Sequence, residues 1–152
     1  MTTPGTLVRP LRPDDHDTWE QLFRGYTAFY ERDDPQSMYD RLWDGLLAGE
    51  RFHGLGAEVD GRLVGLVHYL FHANTTSRDV CYLEDLFVAP DARGRGAGRA
   101  LIEAVADVAR ERRCDRVYWL TQTSNTTARR LYDQVAEDRG FMVYRMPLRP
   151  RD

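Results

Sequence analysis

Between Trp19 and Tyr30 the apolar residues Trp19, Leu22, Phe23, Tyr26 and Tyr30 recur at three- and four-residue spacing, the stripe of an amphipathic helix. Pro13-Asp14-Asp15 stands before it and puts acids at the positive end of the helix dipole. A second stripe, Met38, Tyr39, Leu42, Leu46 and Leu47, follows Pro35 and predicts another helix. Upstream, residues 7–12 read as a short edge strand, because Pro10 cannot donate to a central ladder. Residues 52–59 and 62–70 flank Asp60-Gly61, a two-residue hairpin signal, since both central positions of a type I′ turn need positive φ. The polar run 73–79 reads as a loop and 80–88 as a strand. From Gly96 a helix sets Leu101, Ala104, Val105 and Val108 on one face, and its basic end at Arg110, Arg112 and Arg113 suits the negative terminus. Residues 117–120 predict a strand, 126–137 a last helix, and 141–148, after Gly140, a closing strand. With no repeat, linker or low-complexity segment, residues 1–152 are expected to form a single α+β domain.

Composition narrows the possibilities. A chain of 152 residues buries about 70% of the surface its unfolded form exposes, so no disulfide or metal staple is required. No apolar run approaches the roughly 20 residues of a membrane span, and the N-terminus lacks a signal-peptide core, which predicts a cytoplasmic protein without a membrane partner. Cys81 and Cys114 match no metal-ligand spacing and are expected to be reduced thiols. His68 and His72 lie four apart on a strand and its end rather than on a helix face, so no metal is expected there either. A net charge of −3 gives no reason to expect nucleic acid. All 21 basic side chains are arginine. The absence of lysine removes Schiff-base chemistry, lysine nucleophiles and a Walker phosphate site, so phosphate recognition must use backbone N–H groups and arginine.

Such a site is suggested by Arg93-Gly94-Arg95-Gly96-Ala97-Gly98-Arg99, set between a strand and a helix. A helix start offers free N–H donors and the positive dipole end, and glycine lets the main chain approach a diphosphate closely. Arg93, Arg95 and Arg99 can add charge-assisted hydrogen bonds. The spacing is not that of a dinucleotide fingerprint: counted from Gly94 the third glycine of G-x-G-x-x-G falls on Arg99, and from Gly96 on Leu101.

Arg93-x-x-Gly96-x-Gly98 resembles the coenzyme A signature R/Q-x-x-G-x-G/A of the GNAT N-acetyltransferases. It follows Leu83-Glu84-Asp85-Leu86-Phe87-Val88 and precedes Asn125-Thr126-Thr127-Ala128-Arg129-Arg130-Leu131-Tyr132, which are similar to the family's flanking strand and later helix. The strand resembles most the diamine and thialysine acetyltransferases and the related histone and D-amino-acid enzymes. The resemblance implies a mixed, mostly antiparallel sheet of about six to seven strands flanked by helices. It also implies a splayed strand pair that admits the pantetheine arm of acetyl-coenzyme A, and a homodimer.

Carried onto this chain, it puts pantetheine along the backbone of Leu86, Phe87 and Val88, and the phosphates on the backbone from Gly94 to Arg99, Ala97 included. Asn125 would bond the pantetheine or cap its helix, with Ala128 and Tyr132 on the same helical face. Glu84 becomes the candidate base, or else a surface acid beside the cofactor; strand alternation would put it on the face of Leu86 and Val88, unless a bulge intervenes, with Asp85 opposite as a structural acid. Tyr132 becomes the general acid for the leaving thiolate, or else a core aromatic. Tyr26 and Tyr30 are either core residues or lining of the acceptor site, to which Glu84 and Asp85 would also contribute. Glu31, Asp33 and Asp34 either attract a cationic amine or form a solvated turn. The implied reaction is transfer of acetyl to a primary amine of a small molecule. A protein or histone amine, a non-catalytic acyl-coenzyme A sensor and an arginine-rich nucleic-acid binder are the alternatives.

Overall fold

The sheet is organised around the Asp60-Gly61 turn, where both residues take positive φ (52° and 78°), as a type I′ hairpin needs. In the computed structural model, which describes residues 5–149, this turn joins β2 (His53–Val59) to β3 (Arg62–His72). β1 (Thr6–Pro10) pairs antiparallel with β2 and ends on Pro10 at the sheet edge. β4 (Val80–Val88) pairs antiparallel with β3, and β5 (Val117–Tyr118) lies parallel to β4, giving the order β1-β2-β3-β4-β5. Arg9 ties the edge to the first helix: its guanidinium donates to Asp15 at 2.8 and 3.0 Å and to Glu58 at 2.7 Å.

Helices cover both faces of the sheet. α1 (His16–Phe29) and α2 (Gln36–Ala48) share one face, where Trp19, Leu22, Phe23, Tyr39, Trp43 and Leu46 pack with Leu63 and Leu66. Trp43 replaces Leu47 in the expected stripe, and Leu47 stays 44% exposed. α2 stops at Gly49, left-handed at φ 66°. α3 (Ala97–Glu111) covers the opposite face through Ala100, Leu101 and Val105, all fully buried. Gly65 marks the closest approach there: a Cβ would meet the Phe87 carbonyl at 3.1 Å and Leu101 at 3.2 Å.

The described chain divides into two compact units, one through Leu120 and one from Thr121. The second contains α4 (Thr126–Val135), capped by the Asn125 side chain accepting from the Ala128 N–H at 3.4 Å. α4 ends two residues before the expected 137, because Ala136 turns extended. The closing strand expected at 141–148 is not formed, so the described residues contain five strands rather than six or seven. Strand propensity becomes a strand only in a paired ladder. None is made here, and Phe141, Tyr144 and Leu148 are exposed to 88–90%. Residues 1–4 and 150–152 of the expected 1–152 domain lie outside the described residues. Among the described residues no helix is long and apolar enough to cross a membrane.

Candidate active site

The site begins with an irregularity in β4. His68 pairs with Asp85 but the next residue, Tyr69, pairs with Leu83, so Glu84 is an extra residue in a β-bulge. The bulge breaks the alternation expected for Glu84, Leu86 and Val88. Val88 touches the Gly65 position on the α3 face. Glu84 and Asp85 instead both line a cavity of about 220 Å³ under α1 and α2, with Phe23, Met38, Leu42 and Phe52. Two carboxyl groups therefore reach one cavity from consecutive residues, which an unbroken strand would not allow.

Asp85 is fixed from behind. His68, 3% exposed, lies with Nδ1 2.9 Å from Asp85 Oδ2, while Trp19 Nε1 is 3.0 Å from His68 Nε2. An indole N–H can only donate, so Nε2 must accept and the imidazole proton sits on Nδ1, donated to Asp85. A second ring proton would oppose the Trp19 N–H, so the contact is a hydrogen bond from the neutral ring. Tyr26 also reaches Asp85; burial first, and then the Asp85 charge, push its phenol far above the ordinary value. Asp85 is thus held in one orientation from two sides. Glu84 remains solvent-accessible, yet partial desolvation and then repulsion from Asp85 raise its pKa above the usual glutamate range.

Of the expected acceptor-site residues, Glu84 and Asp85 line the cavity. Tyr26 reaches it only through Asp85, and Tyr30 packs against Tyr26 and Phe29 outside it. In the acidic run Glu31 and Asp33 are exposed, whereas Asp34 is half-buried and pairs with Arg32 at 2.9 Å. Sequence reasoning missed Trp19 and His68 as a relay and Arg32 and Arg41 as lining. A larger open depression of about 750 Å³ is lined by Phe87, Pro90 and Arg93, and among the described residues none of its lining side chains can accept a proton from an amine. His16, Glu20 and Asp40 cluster within 4.8 Å, but Gln36 already donates to Glu20 at 2.7 Å and to Asp40 at 3.0 Å.

On its other edge β4 is open. β5 pairs only at Val117 with Cys81 and Tyr118 with Tyr82, so among the described residues no strand accompanies β4 from Leu83 to Val88 on that side. The Ala89 N–H donates to the Val64 carbonyl, and the Phe87 carbonyl likewise faces β3 at Gly65. By alternation, Leu86 and Val88 turn their N–H and C=O groups to the open edge. The Val88 carbonyl accepts from Arg93 Nε at 3.1 Å; Arg93 is thereby folded back over the Phe87 ring.

Beyond it the loop has the expected conformation. Gly94 and Gly96 take φ 81° and 83°, and α3 opens at Ala97, leaving the first N–H groups of the helix beside an exposed Arg95 and Arg99. A glycine-rich backbone cradle, next to a strand edge where Leu86 and the Val88 N–H have no strand partner among the described residues, fits a linear ligand carrying a diphosphate and successive amide groups. In the second unit Ala128 and Tyr132 of α4 are half-buried, as is Asn125, which is engaged as the helix cap.

A splayed parallel pair, a bulged β4 and an anion cradle at the following helix define an acyl-coenzyme A-dependent transferase. Residues 19–136 match the acetyltransferase (GNAT) family, and the chain belongs to that family. It is an acetyl-coenzyme A-dependent N-acetyltransferase. It is 30% identical to the D-amino-acid N-acetyltransferase HPA3 of Saccharomyces cerevisiae across 95% of this chain and 92% of the yeast protein. Identity to the mouse thialysine N-epsilon-acetyltransferase is 33% over 67% of this chain and 68% of that protein. A solved ribosomal-protein-alanine N-acetyltransferase from Brucella melitensis superposes with a TM-score of 0.79 at 27% identity, covering 95% and 99% of the two chains.

Proposed function

We propose that the chain transfers acetyl from acetyl-coenzyme A to a primary amine of a small molecule, with Glu84 as base and Tyr132 as acid. The bulge carries this reading, because it delivers Glu84 and Asp85 together to one small cavity on the strand whose far edge is open. Acetyl-coenzyme A supplies the activated thioester. Pantetheine is assigned to the Leu86 and Val88 edge and the diphosphate to the backbone from Gly94 to Arg99. An ammonium group entering the cavity meets the Glu84 and Asp85 charges. Glu84, with its raised pKa, takes the ammonium proton, directly or through water. The freed amine then attacks the thioester carbon: a C–N bond forms, the C–S bond breaks, the thiolate takes a proton from the Tyr132 hydroxyl, the second proton shed by the new amide nitrogen returns through solvent to the Tyr132 phenolate, and Glu84 releases the first proton to water. We assign the oxygen charge of the tetrahedral stage to a strand N–H on the open edge. D-amino-acid and thialysine acetylation by the relatives support a small amine acceptor. On the same likeness we propose a cytoplasmic homodimer, which its mass in solution tests in part.

An amine panel with acetyl-coenzyme A, read by thiol release and by product mass, tests the proposal. Acetylated product with at least one small amine is expected; thiol release with none of them would remove it.

A further inference from the structure

The Glu84 cavity is not lined by acids alone. Arg32, from the turn between α1 and α2, and Arg41 of α2 both border it, opposite in charge to the two carboxylates. Arg32 is partly offset by Asp34 at 2.9 Å. Arg41 has no ion-pair partner among the described residues. A polyamine entering this space would gain from Glu84 and Asp85 but be repelled by two guanidiniums. An acceptor bearing one cationic and one anionic group satisfies both ends. Size points the same way, since about 220 Å³ falls below the roughly 300–1,000 Å³ of sites for drug-sized ligands and suits a small acceptor better than a multi-ring one. Phe23, Met38, Leu42 and Phe52 form the apolar part of the remaining wall, beside His68 and Tyr69, and suit an aliphatic side chain.

We propose that the acceptor is a free amino acid, with its amine at Glu84 and its carboxylate held by Arg41, assisted by Arg32. This rests on the cavity being the acceptor site of the acetyl transfer. Arginine suits the task because its fork matches a carboxylate in two hydrogen bonds, and an exposed guanidinium engages without first breaking an internal pair.

The test compares leucine and lysine, each as either enantiomer, with their carboxamides and with the amines left on removing the carboxylate, in the wild-type protein and in Arg41→Gln and Arg41→Lys. Wild type should prefer at least one amino acid over its carboxamide about tenfold or more in kcat/KM. Arg41→Gln should erase that preference by raising KM for the amino acid about 10- to 100-fold while shifting the carboxamide less than about twofold; Arg41→Lys should fall between. Equal losses on acid and amide, or a wild-type preference for the carboxylate-free amines, would overturn the assignment while leaving acetyl transfer intact. Failure to acetylate any amine would overturn the acetyl-transfer proposal itself, and this one with it.

Discussion

Replacing His68 by leucine removes an acceptor and a donor at once from a buried chain of hydrogen bonds. Trp19 is fully buried, and its N–H has His68 Nε2 as its partner at 3.0 Å. Left unsatisfied, such a donor costs about 1–3 kcal/mol. Asp85, about 14% exposed at its side chain, simultaneously loses the N–H at 2.9 Å that neutralises one of its oxygens; a hydrogen bond to a charged group is worth about 1.5–3 kcal/mol. The shape change is small and the two losses are coupled, so the expected destabilisation is about 3 kcal/mol. For a domain of this size that lowers Tm by about 6–12 °C. Urea unfolding should show the midpoint falling with the slope unchanged, as expected when native stability alone changes. His68→Gln separates this mechanism from a general intolerance of substitution. Its carbonyl can accept from Trp19 and its amide can donate to Asp85, so most of the loss should be recovered. A His68→Leu protein within about 0.5 kcal/mol of wild type, or a Gln variant no better than Leu, would refute the relay.

Three further outcomes follow from the site. Tyr132→Phe should lower kcat about tenfold or more while leaving affinity for coenzyme A nearly unchanged, measured by steady-state kinetics beside a binding titration; equal kcat would dismiss the proton-donor role. Gly96→Val should weaken coenzyme A binding about tenfold or more, because a β-branched residue cannot hold φ 83° without distorting the cradle, and calorimetry on the folded variant reads this directly. In native protein at pH 8 a thiol reagent should modify Cys114 well before Cys81, since Cys81 is buried and its thiol is pushed up to about 12; rapid labelling of both would contradict that packing.

Most of the scaffold was legible because local chemistry and tertiary packing agree there. Asp60-Gly61 dictates its turn whatever surrounds it, and the stripe from Trp19 to Phe23 buries the residues its spacing selects. The cofactor side of β4 was legible for the same reason, since glycines and arginines in a strand-to-helix loop restrict the backbone strongly. The bulge was not. Nothing in Leu83-Glu84-Asp85 signals that the register slips by one residue; the slip is visible only in the pairing with Tyr69 and His68, and it moves Glu84 to the other face. Arg41 was hidden because an arginine on an exposed helix position looks alike in sequence whether it faces solvent or a cavity. The stretch 141–148 misled for the opposite reason: its alternation has strand character, but strand formation depends on a partner that the residues themselves do not name.

The pH dependence of kcat/KM in wild type and Glu84→Gln tests most directly whether Glu84 is the base that starts the reaction. Glu84 must be ionised to act, and its pKa is raised by desolvation and by Asp85, so the acidic limb of the wild-type profile should lie above the ordinary glutamate value of 4.5. The Gln variant should lose that limb and about 10²-fold or more in kcat/KM. The sign in stability is opposite. A raised native pKa means that the folded state binds the proton more tightly, so Glu84 destabilises increasingly as pH climbs from 4.5 through its folded value. Glu84→Gln should therefore be the more stable protein at neutral pH, with the difference vanishing in acid. A Gln variant that keeps both the limb and wild-type kcat/KM would contradict the assignment of Glu84 as the base.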